Sequence, residues 1–166
     1  MKAKVLFFDD IFSERFRSKL NPEHLAFDDN WAAAVGKALT EDSGVGDVRF
    51  ELVRRGEIGK WQEIIREEKP DILLLDLLWP EEAQAKYKDR SRGADVSLEA
   101  LPKIRKAFPD LPVVCYTVKP DRELYREAYR RGATFFLEKL PLPLPEVQTP
   151  LKYVLLYLLR QVGKGG

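Results

Sequence analysis

The sequence predicts an α/β domain, in which helices cover both faces of a doubly wound parallel sheet. Short apolar runs typical of buried strands alternate along the chain with stretches of helical period. Four of these runs, KVLFFDD, DILLLDLLWP, PVVCYTV and ATFFLEK, carry polar residues where the strand ends. Because ligands of open α/β sheets bind outside the carboxyl ends of the strands, these polar residues are candidates for one shared site.

Length and composition favour a single domain over residues 1–166. The chain is 45% hydrophobic and 33% charged, which suits one sizeable core. Its formal net charge of +1 favours neither nucleic acid nor a membrane surface. No apolar run approaches the roughly 20 residues of a membrane span, and the amino terminus lacks a signal-peptide pattern. We therefore expect a cytoplasmic protein with no direct nucleic acid contact and no membrane insertion.

The first half of the chain predicts two strands separated by helical stretches. The first strand covers residues 3–8, and an enlarged segment at about residues 11–28 follows it, in which Asn21-Pro22 separates a short helix from a turn. Asp28 or Asp29 is a candidate N-cap for a helix through WAAAVGKALTED. Residues 47–54 form the predicted second strand, and residues 57–68 form a helix with one apolar stripe.

The second half predicts three more strands. Residues 72–75 are nearly all Ile and Leu, as expected of a central strand that is buried on both faces. An enlarged polar segment at about residues 79–95 is predicted to be a mobile loop, and a helix over residues 97–108 follows. The fourth strand covers residues 112–116, the next helix residues 121–131, and the fifth strand residues 133–138. A last helix is predicted to begin at Thr149 and Pro150 and to reach residue 162, before a flexible tail at residues 163–166.

The strand ends bring together residues with complementary chemistry: Asp9, Asp10, Asp76, Thr117 and Lys139. Clustered carboxylates repel one another, so their pKa values rise unless a cation neutralises them. Mg²⁺ does this with oxygen ligands, and it also bridges to substrate phosphate. We predict a Mg²⁺ site with Asp10 and Asp76 as direct ligands and Asp9 bound directly or through water.

These residues make the chain resemble the receiver domains of two-component response regulators, the CheY-like family. The acidic pair, DLLWP, EEKPDILLLD and RRGATFFLEK each resemble the family sequence at the corresponding strand, and the resemblance covers essentially the whole chain. It implies a five-stranded parallel sheet in the order 2-1-3-4-5, with right-handed crossovers and helices on both faces. It also implies a stand-alone receiver with no output domain.

The resemblance further implies a role for each site residue. Asp76 is the phosphoacceptor, and the backbone carbonyl of Leu78 is a third protein ligand of Mg²⁺. Lys139 and Thr117 contact oxygens of the phosphoryl group in the phosphorylated state. Thr117 then reports that state to Phe136, which occupies the position of the family's switch aromatic. The donor is a histidine kinase, a phosphotransfer protein or a small phosphodonor, so the chain is a signalling phosphoprotein and not a classical enzyme.

The last helix carries the predicted output surface. Its sequence LKYVLLYLLRQV has apolar or aromatic residues on more than one face, whereas packing against a sheet needs only one stripe. The residues that cannot all be core are Tyr153, Leu156, Tyr157 and Leu159. We expect them to form a protein interface, either in a homodimer or with a downstream protein target.

Two other functions compete with this reading. A phosphorylation-independent binding module of the same fold is favoured by the enlarged segments and by Val118, whose branched side chain narrows the approach to Asp76 and predicts slow phosphorylation, slow dephosphorylation or both. A Mg²⁺-dependent aspartyl phosphatase is less favoured, because such enzymes place two aspartates one residue apart, whereas Asp9 and Asp10 are adjacent. Nucleotide hydrolysis has no support, since the sequence contains no GxxxxGK[ST] phosphate loop.

Overall fold

A five-stranded parallel sheet forms the centre of the molecule. The computed structural model describes residues 1–40, 48–139 and 145–163, and all of their side chains except those of 145–150. The strands lie in the order β2-β1-β3-β4-β5, which confirms the predicted fold class and strand order. Their bounds are β1 (Lys2–Phe8), β2 (Arg49–Arg55), β3 (Ile72–Asp76), β4 (Val113–Thr117) and β5 (Phe135–Glu138). Asp47, the predicted start of the second strand, and residues 164–166 of the predicted tail lie outside the described ranges.

Seven α-helices occur among the described residues. They are α1 (Glu14–Arg17), α2 (Pro22–Thr40), α3 (Trp61–Glu68), α4 (Pro80–Tyr87), α5 (Gly93–Ala107), α6 (Arg122–Arg130) and α7 (Pro145–Gln161). The last helix therefore begins before Thr149, the residue predicted to cap it. Among these helices, none combines the length and the apolar character that crossing a membrane requires.

The two faces of the sheet bury separate hydrophobic cores, because side chains alternate along each strand. In β1, Val5 and Phe7 face α2 and α7, whereas Leu6 and Phe8 face the side covered by α3, α5 and α6. All five residues of β3 are buried, as the continuous apolar run predicts for a central parallel strand. Burial on both faces fixes the position of the strand ends that follow.

The first enlarged segment is more helical than the sequence suggested. A 3₁₀ turn over Asp10–Phe12 and the short α1 precede α2, which begins at Pro22. The Asn21 side-chain oxygen accepts a hydrogen bond from the amide of His24 at 2.9 Å and so caps this helix. Asp28 and Asp29 thus lie inside α2, and the prediction that one of them is an N-cap is wrong. The apolar stripe from Trp31 onward marked the middle of the helix, not its start.

The second enlarged segment is also ordered as helix. The predicted mobile loop at 79–95 contains α4, a 3₁₀ turn over Arg90–Arg92 and the first residues of α5. Trp79 and Ala83 are buried, and Pro80 occupies the first turn of α4, where proline is favoured. These few apolar anchors hold an otherwise polar segment against the domain, so the loop prediction is wrong.

An ion cluster joins the two enlarged segments. The buried carboxylate of Glu81 at the start of α4 pairs with Lys19, which follows α1, and with Arg90. Burial acts to raise the pKa of Glu81, but the two paired cations outweigh it and lower that pKa. We call Lys19, Glu81 and Arg90 the rim bridge, because it links the segments that follow Asp10 and Asp76.

Candidate functional site

The carboxyl ends of β1, β3, β4 and β5 place the predicted site residues at one edge of the sheet. Asp9 and Asp10 follow β1, Asp76 and Thr117 end β3 and β4, and Lys139 follows β5. Asp76 lies opposite Tyr116, and the amide of Lys139 donates to the carbonyl oxygen of Thr117 at 2.8 Å. The parallel ladder therefore sets the spacing between the reactive side chains.

Three carboxylates form a compact acidic cluster. One oxygen atom from each of Asp9, Asp10 and Asp76 lies within 4.8 Å of the others. All three residues are buried, with Asp9 fully so. The backbone orients two of them, since Asp9 Oδ1 accepts from the Ile11 amide at 3.0 Å and Asp76 Oδ1 accepts from the Leu78 amide at 3.0 Å.

The ammonium of Lys139 lies among these carboxylates. Its Nζ is 3.1 Å from Asp9 Oδ2 and 3.5 Å from Asp76 Oδ2, and the residue is only 3% exposed. Burial acts to lower the pKa of Lys139, but the charges of Asp76, Asp9 and a further aspartate, Asp28, outweigh it and raise that pKa. Lys139 is therefore charged at every physiological pH.

Burial and repulsion between neighbouring carboxylates raise the pKa values of Asp10 and Asp76. The pKa of Asp10 is raised to about 10, by burial first and then by the charges of Asp76 and Asp9. Burial is also the main cause that raises the pKa of Asp76 to about 7, with Lys139 opposing it. A nearby cation stabilises the ionised form of carboxyl groups that are buried beside one another.

The donor set fits Mg²⁺. Within the described residues, Lys139 forms ion pairs with Asp9, Asp28 and Asp76, whereas no ion pair involves Asp10. Asp10 is nevertheless 7% exposed and adjoins the other two carboxylates. A hard cation that takes oxygen ligands would stabilise the ionised carboxylate of Asp10. Mg²⁺ is such a cation, and it commonly binds through a few carboxylates while it keeps several waters. Leu78, the predicted backbone ligand, lies two residues beyond Asp76.

Asp28 is a site residue that the sequence reasoning missed. It lies in α2, and its Oδ1 atom is 2.7 Å from Lys139 Nζ. Burial raises the pKa of Asp28, and the neighbouring Lys139 opposes this shift. The signal was present in the sequence, because Asp28 lies on the same helical stripe as Ala32, Val35 and Leu39. A carboxylate on a buried stripe needs a partner, and here the partner is Lys139.

Tyr116 is a second missed residue. Its hydroxyl lies 3.0 Å from Asp9 Oδ2 and 3.0 Å from the carbonyl oxygen of Phe8, so it donates to this pair of acceptors. The ring is fully buried and packs against Trp31 of α2, with 5.7 Å between ring centroids. Burial and the nearby carboxylates raise the pKa of Tyr116, which keeps the hydroxyl protonated as a donor. Tyr116 thereby fixes the orientation of Asp9.

Thr117 and Phe136 occupy different environments. Thr117 is fully buried, and its Oγ1 accepts from the Lys119 amide at 3.2 Å. Phe136 is half-buried and packs edge-to-face on the exposed Tyr125 of α6, with 5.5 Å between ring centroids. The predicted switch aromatic thus lies against the surface of α6. Val118, next to Thr117, is 44% exposed.

The predicted interface residues divide into two pairs. Leu156 and Leu159 are buried against the sheet, at 7% and 1% exposure, because they lie on the core stripe of α7. Tyr153 and Tyr157 are exposed, at 49% and 61%. The four residues therefore do not form one surface in this structure, and only the two tyrosines are available to a partner.

Comparisons with known proteins identify the fold. No protein-family model and no curated protein matches the sequence. Among solved structures, the chain is similar to the phosphorylated cyanobacterial phytochrome response regulator RcpA, with a TM-score of 0.63, 16% identity and coverage of 97% of this chain and 96% of that one. It is also similar to the signal receiver domain of the response regulator NarL from Mycobacterium tuberculosis, with a TM-score of 0.59, 18% identity and coverage of 96% and 97%.

A third similar structure is also a response regulator receiver domain protein. The CheY-like response regulator receiver domain protein from Methanospirillum hungatei superposes with a TM-score of 0.58, 16% identity and coverage of 97% of this chain and 99% of that one. All three matches span nearly the full length of both chains. The chain therefore has the CheY-like receiver fold of response regulators.

Proposed function

We propose that the chain is a phosphoacceptor receiver, in which Asp76 accepts a phosphoryl group and thereby alters contacts with other proteins. The observation that carries this proposal is the position of Lys139, whose ammonium lies 3.5 Å from Asp76 Oδ2 and 3.1 Å from Asp9 Oδ2 at the carboxyl edge of the sheet. A buried cation beside a nucleophilic carboxylate suits the transfer of an anionic group. The receiver fold supports the same class of function.

Mg²⁺ completes the proposed site. Asp9, Asp10, Asp76 and the backbone carbonyl of Leu78 would hold the ion, which would supply positive charge to the phosphoryl oxygens. Asp76 is nucleophilic only when it is ionised, and burial opposes its ionisation. A cation held by the acidic cluster would offset this effect of burial. The residues of the chain then carry out the remaining steps.

In the transfer step, an oxygen of Asp76 forms a bond to phosphorus, while the bond from phosphorus to the donor nitrogen or oxygen breaks. The leaving atom keeps the electron pair of the broken bond. Lys139 stabilises charge on one phosphoryl oxygen, and the hydroxyl of Thr117 donates to another. The donor is a histidine kinase, a phosphotransfer protein or a small phosphodonor, which supplies the free energy. The chain itself is a signalling domain and not a classical enzyme.

The change in protein contacts on phosphorylation begins with the contact of Thr117 with the phosphoryl group. A new hydrogen bond from this hydroxyl would shift the segment through Val118 and Lys119, whose amide now donates to Thr117 Oγ1 at 3.2 Å. Phe136 lies on the neighbouring strand and would change its packing against Tyr125. Tyr153 and Tyr157 of α7 would then contact a downstream target or a second copy of the chain.

The direct test is intact mass after incubation with Mg²⁺ and acetyl phosphate. We expect one added phosphoryl group in the wild type and none in Asp76→Ala. An adduct of the same size in both proteins would place the acceptor elsewhere and overturn the assignment of Asp76. Turnover of a phosphate ester, followed in parallel, would instead support an aspartyl phosphatase.

A phosphorylation-independent binding module is the second candidate. It is favoured by the ion pair between Lys139 and Asp28, which engages the lysine, and by Val118, whose exposed side chain adjoins the site. The same experiment separates the two functions. Absence of any adduct in the wild type, together with absence of Mg²⁺ binding, would support the binding module.

A further inference from the structure

Lys139 is held closer to a helix than to the proposed phosphoacceptor. Its Nζ lies 2.7 Å from Asp28 Oδ1 and 3.5 Å from Asp76 Oδ2. Asp28 reaches the site from α2, whereas Asp9 and Asp76 belong to strand ends. Its side chain is 18% exposed, so solvent screens this ion pair only in part. The shortest contact of the ammonium is therefore with a residue outside the acidic cluster.

We propose that Asp28 is a positioning residue that holds Lys139 away from the incoming phosphoryl group, and that it thereby slows phosphorylation while it strengthens Mg²⁺ binding. This inference rests on the proposed function, in which Lys139 stabilises the transferred group. It assigns to α2 a control over the rate of the reaction at the edge of the sheet.

The number of N–H donors on Lys139 limits the contacts that this residue can make. A lysine ammonium has three N–H donors and no acceptor. In the resting structure three carboxylates, those of Asp9, Asp28 and Asp76, surround Nζ at hydrogen-bond distance. A phosphoryl oxygen can be contacted only when one of these hydrogen bonds breaks. Asp28 thus competes directly with the phosphoryl group for the lysine.

The charge of Asp28 acts in opposite directions on the phosphodonor and on Mg²⁺. Lys139 is paired with Asp9, Asp28 and Asp76, and the carboxylate of Asp10 adjoins two of these. The negative charge of Asp28 repels an anionic phosphodonor, and it also cancels part of the positive charge that Lys139 offers. For a divalent cation, the negative charge of Asp28 is favourable. Asp28 attracts Mg²⁺ through space, and it draws Lys139 away from Asp9 and Asp76, which the cation needs.

Asp28→Asn and Asp28→Ser test the proposal, because both remove the charge. At saturating Mg²⁺ we expect phosphorylation by acetyl phosphate to be about tenfold faster than in the wild type, while Mg²⁺ binds roughly threefold more weakly. Mg²⁺ affinity is measured by calorimetry in the absence of phosphodonor. The opposite signs of the two effects distinguish positioning from a loss of folded protein, which would lower both quantities.

Two further variants serve as controls. Asp29→Asn removes the next carboxylate of α2, which is half exposed and pairs with Arg17 at 2.6 Å, and we expect it to leave both quantities unchanged. Asp28→Glu keeps the charge, and we expect Mg²⁺ affinity close to that of the wild type. Unchanged rate and affinity in Asp28→Asn and Asp28→Ser, or a fall in both, would overturn the role of Asp28. A wild type that binds Mg²⁺ but takes no phosphoryl group would instead overturn the proposed function, and the Mg²⁺ titrations would still test Asp28.

Discussion

Lys139 supplies the positive charge that makes the buried acidic site compatible with folding. Taking an ammonium and several carboxylates out of water costs several kcal/mol per ion, and mutual attraction must offset this cost. Lys139 does so by contacting Asp9, Asp28 and Asp76 from one position. Removing the lysine leaves the carboxylates without their cationic partner, so its contribution depends on whether another cation is present.

Lys139→Gln should therefore destabilise the metal-free protein by about 3 kcal/mol, and Mg²⁺ should restore much of this loss. The measurement is urea unfolding with and without Mg²⁺. Lys119→Gln, on an exposed residue of the next turn, should change neither curve. An equal loss with and without Mg²⁺ would show that Lys139 acts through packing and not through charge.

The raised pKa of Asp76 predicts a pH dependence of stability. In the folded, metal-free protein the pKa of this carboxyl group is raised to about 7, well above the ordinary aspartate pKa of 3.8. Between these values the folded state binds more protons than the unfolded state, so the stability that protonation provides is lost as pH rises from about 4 to about 7. Asp10, with its pKa raised to about 10, acts in the same direction.

We expect the free energy of unfolding without Mg²⁺ to be lower at about pH 8 than at about pH 5, and the difference to shrink when Mg²⁺ is added. Chemical unfolding at the two pH values, with and without Mg²⁺, measures this difference in the free energy of unfolding. Asp76→Asn removes one of the two titrating groups, so it should reduce the metal-free difference. Stability that rises with pH in the metal-free wild type would contradict the description of the acidic cluster.

Single residues also show the limits of sequence reasoning at this site. Their position at strand ends made four site residues recognisable from the sequence, since a polar residue after a buried apolar run seldom has a purely structural role. These residues are Asp9, Asp76, Thr117 and Lys139. Asp28 and Tyr116 gave weaker signals. A carboxylate inside a helix is most often solvated, and a tyrosine inside a strand is most often core. Only the packing of α2 across β1 and β4 makes both residues part of the site.

At the scale of secondary-structure elements, the two enlarged segments support the acidic cluster from outside. The rim bridge joins the end of α1 to the start of α4 through the buried carboxylate of Glu81. Glu81 also lies in the first turn of its helix, where a negative charge is favourable. Neutralising this residue removes both interactions at once.

Glu81→Gln should therefore increase backbone opening in residues 14–20 and 80–87 without unfolding the sheet. Hydrogen exchange followed by mass spectrometry measures this effect, and we expect exchange to be several-fold faster in both segments. Glu82→Gln removes a carboxylate from the same turn and serves as the matched control. Faster exchange in 80–87 alone would show that Glu81 stabilises only its own helix.

Gly56 fixes the approach of the chain after β2 to the 3₁₀ turn that carries Asp10. A Cβ atom at this position would lie 2.6 Å from backbone atoms of both Phe12 and Ser13. Gly56→Ala must therefore displace that backbone, and with it the carboxylate of Asp10. We expect a loss of about 1–3 kcal/mol in stability and a roughly tenfold weaker Mg²⁺ affinity.

Gly59→Ala is the matched control for this prediction. A Cβ atom at Gly59 would meet only the side chain of Glu82, at 3.9 Å, which is ordinary contact. Its Mg²⁺ affinity, measured by the same titration, should equal that of the wild type. Wild-type affinity in Gly56→Ala would mean that the position of Asp10 does not depend on this close approach.

The elements also show why segment 79–95 was misjudged. Its charged residues resemble a solvated loop, and only Trp79 and Ala83 provide buried apolar contacts. Helix α4 is stabilised by tertiary packing and by the rim bridge, neither of which leaves a periodic apolar stripe. In contrast, α6 was predicted within one residue at each end, because Asp121 caps it through the Leu124 amide at 2.8 Å.

At the scale of the whole molecule, the strand order was predictable because alternating strands and helices leave few allowed topologies. The exposed face of α7, which we propose as the protein interface, was less predictable. The sequence of α7 showed that its apolar residues exceed one stripe, but the rotation of the helix on the sheet decides which of them are core. That rotation buries Leu156 and Leu159 and leaves Tyr153 and Tyr157 exposed.

A variant carrying both Tyr153→Ser and Tyr157→Ser should lose phosphorylation-dependent association while it is phosphorylated as fast as the wild type. The two tyrosines are exposed on α7, whereas the acidic cluster is buried, so we expect their removal to leave the reaction unchanged. Sedimentation velocity at equal phosphoryl content, verified by mass, measures the association. Association equal to that of the wild type would exclude this face of α7 from the interface.

Asp76, among four neighbouring carboxylates, is the residue that we propose accepts the phosphoryl group. The most direct measurement is peptide mapping after the protein has been incubated with acetyl phosphate and Mg²⁺ and then reduced with borohydride, which converts an aspartyl phosphate to homoserine. We expect homoserine at position 76 and unmodified aspartate at positions 9, 10 and 28. Homoserine at one of those three positions, or at none of the four in a protein that binds Mg²⁺, would contradict the assignment of Asp76 as the phosphoacceptor.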